Sequence, residues 1–294
     1  MNSRLVVPGA VLAAVLVGWT PLGARQVFRA GVQTVAVYAT VRDHAGQLVT
    51  GLTKDDFHVF DSGHRTEITV FSSEPQPLSV AIMLDMSGSM GGSYDTLRRS
   101  VLAFVNALRP EDRARIGTFG TEIAVGANLT NDRAELLRVL KEEIWAGGGS
   151  PGWQAISEAM TSIADEPGRR VVLTLTDGDF PLYGLAGWTG DQKTIEKQAT
   201  KQEVVLYAIG FEGYKLTGEI ASAAEHTGGG HFDVASGSNL ADTFTRVADE
   251  LRHQYLIGFS PAVNDGKTHS VDVRMADARL KVQARRNYVA GKDH

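Results

Sequence analysis

The sequence predicts a doubly wound α/β domain, whose mainly parallel sheet is covered by helices on both faces, inserted in a small β-sandwich. The prediction rests on the order of sequence patterns along the chain. From Val80 onwards, apolar runs typical of buried strands alternate with segments of helical period. Residues 27–76 and 253–290 instead show the alternation typical of half-buried strands. Because neither β segment has enough strands to be stable alone, we expect the two to pair and form the sandwich.

Within residues 79–252, strand and helix patterns follow one another in turn. The segment SVAIMLD, residues 79–85, is a continuous apolar run of the kind found in strands buried on both faces. RRVVLTLTD, residues 169–177, is a second such strand. Other strands are expected in RARIGTFG, EIAVGANL, EVVLYAIGF and GHFDV, and helices at 93–108, 131–145, 152–165, 191–202, 216–226 and 238–253.

The composition is that of a globular protein, with 43% hydrophobic and 21% charged residues among 294. Lysine and arginine total 29 against 34 acidic residues, so no basic excess points to a nucleic-acid partner. The chain has no cysteine, which excludes disulfide bonds and attachment through a lipidated amino-terminal cysteine.

Residues 1–24 have the order of a secretory signal peptide. Arg4 gives a positive start, LVVPGAVLAAVLVGW is apolar, and PLGA provides a small-residue ending before Arg25. The uncharged stretch is also long enough for an uncleaved membrane anchor. We expect an exported protein, either periplasmic, secreted or attached to the cell envelope, with membrane contact only if the segment is retained.

The stretch AIMLDMSGSM places Asp85, Ser87 and Ser89 at every second position after a buried strand. The carboxyl ends of such strands are where open α/β sheets bind their ligands. Taken alone, the pattern is equally compatible with a polar turn that caps the next helix.

Two other segments reach the same edge of the predicted sheet. AGGGSPG, residues 146–152, presents Ser150 among glycines that let the backbone approach a neighbouring loop. TDGD, residues 176–179, places Asp177 directly after the second buried strand. Each segment alone could be an ordinary turn, but together with the first they assemble three hydroxyls and two carboxylates.

An all-oxygen set of this kind suits Mg²⁺, Mn²⁺ or Ca²⁺, and we expect Mg²⁺. Ser87, Ser89 and Ser150 are the expected direct ligands, while Asp85 and Asp177 bind directly or through water. Two carboxylates only neutralise a divalent ion, and hydroxyls leave it a strong Lewis acid. An open position would then attract an aspartate or glutamate of a protein partner.

At these residues the sequence resembles the von Willebrand factor type A domain family. DMSGS is similar to the family's Asp-x-Ser-x-Ser motif and TDGD to its aspartate loop, while Ser150 stands where the family typically has threonine. The resemblance extends from about Ser79 to Leu251, and both chain ends are most similar to bacterial exported proteins of this family. It implies a Rossmann-like fold, a metal-ion-dependent adhesion site and a protein-binding role.

Aromatic residues lie close to the predicted site in the sequence. They are Trp153, Phe180, Tyr183 and Trp188. They could contact a partner, or they could pack the loops onto the domain. The sequence pattern leaves both alternatives open.

No nucleophile elbow, zinc-protease motif or phosphate-binding loop is present, so we expect a binding module and not an enzyme. One alternative is a structural or assembly subunit of a cell-envelope complex, without an adhesive metal function. A metal-dependent hydrolase is a further alternative, because a metal ion beside two carboxylates can activate water.

Overall fold

The computed structural model describes the chain from residue 34 to residue 291, with short gaps. The described ranges are 34–90, 93–126, 128–142, 148–178, 180–181, 184–211, 213, 215–216, 218–235 and 238–291. The predicted signal peptide, residues 1–24, lies outside them. Among the described helices, none combines the length and the apolar character that crossing a membrane requires.

The described part of the chain alternates strands and helices between two β-rich ends. In order, the elements are β1 (Val35–Arg42), β2 (Phe57–Asp61), β3 (His64–Thr66), β4 (Ile68–Ser72), β5 (Leu78–Asp85), α1 (Tyr94–Ala107), β6 (Arg113–Phe119), β7 (Ile123–Ala124), α2 (Arg133–Glu142), α3 (Gly152–Ser162), β8 (Arg169–Thr176), α4 (Gln192–Gln202), β9 (Val204–Gly210), α5 (Gly218–His226), β10 (His231–Asp233), α6 (Leu240–Arg252), β11 (Tyr255–Phe259), β12 (Thr268–Met275), β13 (Lys281–Ala284) and β14 (Asn287–Val289).

The central sheet has the strand order β10-β9-β8-β5-β6-β7, and its strands are parallel except for the antiparallel β7. Strand β5 lies in the middle and is buried along its whole length, as its continuous apolar sequence predicts. Helices α1 and α6 pack on one face through Phe104 and Phe244. Helices α3, α4 and α5 pack on the other through Ile156, Ile195 and Ile220. The predicted doubly wound sheet is therefore confirmed.

The two β-rich ends form two antiparallel sheets, and each sheet contains strands from both ends of the chain. One sheet has the order β13-β1-β11-β4 and the other β14-β12-β2-β3. The amino-terminal strand β1 pairs on both sides with carboxy-terminal strands. Val37, Val59 and Ile257 contribute to one shared core between the two sheets. The predicted sandwich, formed by both segments around the α/β region, is confirmed.

A buried carboxylate connects the sandwich to the α/β region. Glu250 of α6 accepts hydrogen bonds from the Tyr207 hydroxyl at 2.9 Å and from the Thr40 hydroxyl at 3.3 Å, and it pairs with Arg42. Tyr207 belongs to the central sheet, whereas Thr40 and Arg42 belong to β1. Burial of a charge requires such partners, so this carboxylate holds β1 against the sheet and α6.

Several elements are shorter than the sequence pattern predicts. Helix α2 begins after Asp132, whose carboxylate accepts a hydrogen bond from the Ala134 amide at 2.9 Å, and it is described as far as Glu142. Helix α3 ends at Ser162, three residues before the predicted end. Among the described residues of EIAVGANL, the strand covers Ile123–Ala124.

The shared sandwich core gives a direct stability prediction. Replacing Ile257 with alanine removes a fully buried side chain from β11, and we expect the free energy of unfolding to fall by about 2–5 kcal/mol. Val263→Ala is the matched control, since Val263 is 53% exposed and its change should stay within about 0.5 kcal/mol. Urea denaturation measures both, and an Ile257→Ala variant as stable as the control would contradict the shared core.

Candidate metal centre

The site lies at the carboxyl edge of the central sheet, where three neighbouring parallel strands end together. In the sheet register Leu84 pairs with Leu175 on one side and with Thr118 on the other. The Met86 amide donates to the Phe119 carbonyl at 2.8 Å and holds the end of β5 beside β6. The loops that leave β5 and β8 therefore start side by side, as the sequence predicts.

Asp85 is completely buried at the end of β5 and joins three segments of the chain. Its Oδ1 accepts a hydrogen bond from the Ser87 amide at 2.9 Å. Its Oδ2 accepts one from the Ser150 hydroxyl at 2.8 Å and one from the Thr176 hydroxyl at 2.7 Å. Burial raises the pKa of Asp85, and these hydrogen bonds offset only part of that rise.

The glycine-rich loop approaches the first loop through its backbone. The Gly88 amide donates to the Gly148 carbonyl at 3.3 Å. Gly148 has a φ of +87°, and a Cβ at this position would collide with Thr121. Glycine is therefore required here by backbone conformation and by space, and the approach brings Ser150 to Asp85.

Ser87 and Ser89 lie on a single 3₁₀ turn formed by Gly88–Met90 and its preceding residue. Their hydroxyl oxygens are 3.1 Å apart. Ser87 is buried, whereas Ser89 is exposed. The two hydroxyls thus lie together at the boundary between the buried Asp85 and solvent.

Asp177 follows β8 and is only 7% exposed. Its buried Oδ2 has no hydrogen-bond partner among the described residues. The hydroxyl of the neighbouring Tyr94 donates to the Ser87 carbonyl at 3.3 Å. The pKa of Tyr94 is raised, mainly by burial and to a smaller extent by the negative charges of Asp85 and Asp177. Both carboxylates therefore act electrostatically on the same small region.

These residues surround an open depression of about 410 Å³. It is lined by Ser87, Gly88, Ser89, Gly148, Gly149, Ser150, Asp177 and Gly178. Among the described residues, no group of three or more His, Cys, Asp or Glu side chains is placed to hold a metal ion, so the donor set depends on hydroxyls. An unpaired buried carboxylate oxygen beside several hydroxyls fits a hard cation that prefers oxygen ligands.

Of the two alternatives for the aromatic residues, the structure favours packing for Trp153 and Phe180. Trp153 is 1% exposed and Phe180 is 7% exposed, and their rings meet edge to face with centroids 5.4 Å apart. They pack beneath the loops because Gly152 leaves room for the Phe180 ring. Trp188 is half-buried against the same core, and Tyr183 lies outside the described residues.

Two residues of the site are absent from the sequence prediction. Thr176 donates to Asp85, and Tyr94 donates to the Ser87 carbonyl. A signal for Thr176 existed, because it is the last residue of β8 and directly precedes Asp177. Tyr94 had no such signal, since it reads as the first residue of an amphipathic helix.

Residues 80–179 match the family model for the von Willebrand factor type A domain. For these residues, the match confirms the resemblance seen in the sequence. No curated protein matches the sequence.

Solved structures similar to this chain include an aerotolerance-related membrane protein from Bacteroides fragilis, at 16% identity, 60% coverage of this chain, 98% of that chain and a TM-score of 0.46. The conserved hypothetical protein BatB from Bacteroides thetaiotaomicron is 17% identical, with 60% of this chain and 97% of that chain covered and a TM-score of 0.44. The vWF domain of the type V pili tip protein Mfa5 from Porphyromonas gingivalis is 13% identical, with 60% of this chain and 95% of that chain covered and a TM-score of 0.46. Likeness at this level carries no functional argument.

The hydrogen bonds of Asp85 can be tested with two threonines of the same strand. Thr176→Val removes a donor to the buried carboxylate, and we expect a loss of about 1.5–3 kcal/mol in the free energy of unfolding. Thr174 is equally buried, but its hydroxyl has no partner among the described residues. Thr174→Val should therefore be neutral or stabilising. Urea unfolding in EDTA compares them, and equal losses would contradict the role of Thr176.

Proposed function

We propose that this chain is an exported, metal-ion-dependent protein-binding module. Its depression at the carboxyl edge of the sheet holds a divalent cation, with Mg²⁺ the expected ion. The cation recognises an aspartate or glutamate of a protein partner. The observation that supports this most strongly is the unpaired, buried Oδ2 of Asp177 beside three serine hydroxyls.

The residues have three roles in this proposal. Ser87, Ser89 and Ser150 supply neutral oxygen donors at the rim, and Asp177 supplies charge. Asp85 lies beneath them and fixes the positions of the loops. It contacts the cation directly or through a bound water. When bound, the cation supplies a Lewis-acidic position that attracts a carboxylate.

The balance of charges favours binding over hydrolysis. A carboxylate at an open position completes the coordination of a cation that the site neutralises but does not saturate. Hydrolysis would require an additional base to activate water. The described residues lining the depression offer only Asp177 for this task, and the proposal already uses its carboxylate to hold the ion.

Isothermal titration with Mg²⁺ and Mn²⁺ tests the metal site. We expect the wild type to bind saturably and Asp85→Ala to lose binding while its circular dichroism spectrum stays native. Asp177→Asn keeps the side-chain shape but removes the charge, and it should weaken binding at least about tenfold, since one charged contact is worth roughly 1.5–3 kcal/mol. The exposed Asp165 provides the matched control Asp165→Asn, which should bind like the wild type. Absence of binding by the wild type would reject the proposal.

The partner class is tested by capture from cell-envelope extracts on the immobilised protein. Capture should require Mg²⁺, disappear in EDTA and with Asp177→Asn, and be blocked when the carboxylates of the extract are methyl-esterified. The same proteins retained in EDTA and by Asp177→Asn would favour a structural envelope subunit instead.

A further inference from the structure

A second cavity, of about 240 Å³, lies at the opposite edge of the central sheet, where the sandwich meets the α/β region. Its walls include the first residues of β8, the start of β9 and residues of α4 and α5 on one side. On the other side they include residues of β1, the first residue of β14 and Arg285 from the connection before it. The residues used below are Tyr38, Arg169, Arg170, Glu203 and Arg285. The cavity shares no lining residue with the serine and aspartate depression.

The cavity concentrates positive charge. Among the described residues that line it, the arginines are Arg169, Arg170 and Arg285, and the only carboxylate is Glu203. Glu203 accepts hydrogen bonds from Arg170 at 3.0 Å and from Arg285 at 3.4 Å. It has a left-handed backbone conformation, with φ 53° and ψ 43°, at a helix end where glycine is usual. One carboxylate therefore serves two guanidinium groups and leaves the third without a counter-charge in the cavity.

Arg169 is the group that points most directly to a missing ligand. The residue is only 2% exposed, and its Nε and Nη2 have no hydrogen-bond partner among the described residues. Its Cζ lies 5.0 Å from the centroid of the Tyr38 ring, its Nη1 donates to the Leu251 carbonyl at 3.4 Å, and the guanidinium also interacts with the Tyr207 hydroxyl. A buried guanidinium with free donors is costly unless an acceptor completes its hydrogen bonds.

The other two arginines also keep donors free. The Nε atoms of Arg170 and Arg285 are buried and have no hydrogen-bond partner among the described residues. Burial lowers the pKa of Arg285, and the nearby Glu203 carboxylate opposes that fall. Because guanidinium groups recognise carboxylate and phosphate oxygens through paired N–H donors, three arginines around one cavity favour an oxyanion as its ligand.

We propose that this cavity is a binding site for a small oxyanion, carrying a phosphate or a carboxylate group, between the sandwich and the α/β region. Arg169 and Arg170 contact it from the sheet, and Arg285 contacts it from the sandwich. A bound anion joins the two parts of the chain at an edge remote from the depression, and it stabilises their contact. The site is independent of the proposed metal-dependent function.

Titration calorimetry and thermal unfolding with inorganic phosphate, sulfate and succinate test the site. EDTA is present throughout, so that no anion binds through a metal ion, and sodium chloride of equal ionic strength is the reference. We expect at least one of the three anions to bind saturably and to raise the melting temperature. A preference for phosphate and sulfate identifies a phosphoryl group as the ligand chemistry, and a preference for succinate identifies a carboxylate.

Variants place the binding in this cavity. Arg170→Gln and Arg285→Gln should each raise the dissociation constant about tenfold or more, and Arg285→Lys should recover part of the loss, because it keeps the charge without the planar fork. Arg279→Gln is the matched control, since the Arg279 side chain is 86% exposed, and it should bind like the wild type. The proposal would be overturned if the wild type showed no saturable binding. It would also be overturned if Arg170→Gln and Arg285→Gln bound the anion as tightly as the wild type.

Discussion

Complete burial of the Asp85 carboxylate is the constraint on which the candidate metal centre depends. A buried carboxylate is stable only if donors surround it, and here they come from the amide of Ser87 and the hydroxyls of Ser150 and Thr176. These donors belong to three separate segments, so satisfying one carboxylate fixes the relative position of all three. The rim of hydroxyls and the unpaired oxygen of Asp177 follow from that arrangement.

The parallel sheet separates two opposite chemistries along its strands. Carboxyl ends of β5 and β8 carry the aspartates, whereas the amino end of β8 carries Arg169 and Arg170. The sandwich lies against the second edge, because β1 is held there by the buried Glu250 and its partners. Insertion of the α/β region between the two halves of the sandwich thus leaves the hydroxyl-rich edge open and closes the basic edge into a cavity.

The sequence allowed prediction of the sheet, the sandwich and the Asp85, Ser150 and Asp177 loops, because strand ends and glycine-rich turns have local signatures. It did not allow prediction of contacts between residues far apart in the chain. Thr176 is next to Asp177 in the chain, but its hydrogen bond to Asp85 joins residues 91 positions apart. Arg285 lies more than a hundred residues after Arg169 and Arg170, and no motif links it to them. Burial of Trp153 and Phe180 depends on the space beside Gly152, which no periodicity reveals.

Anomalous diffraction from crystals soaked in Mn²⁺ locates the ion without assuming its ligands. We expect one strong anomalous peak in the depression, within coordination distance of Ser150 and of Ser87 or Ser89, and its loss in crystals of Asp177→Asn. A wild-type crystal soaked in the same Mn²⁺ solution that shows no peak at these residues, or that shows the peak at other residues, would contradict the proposed metal site.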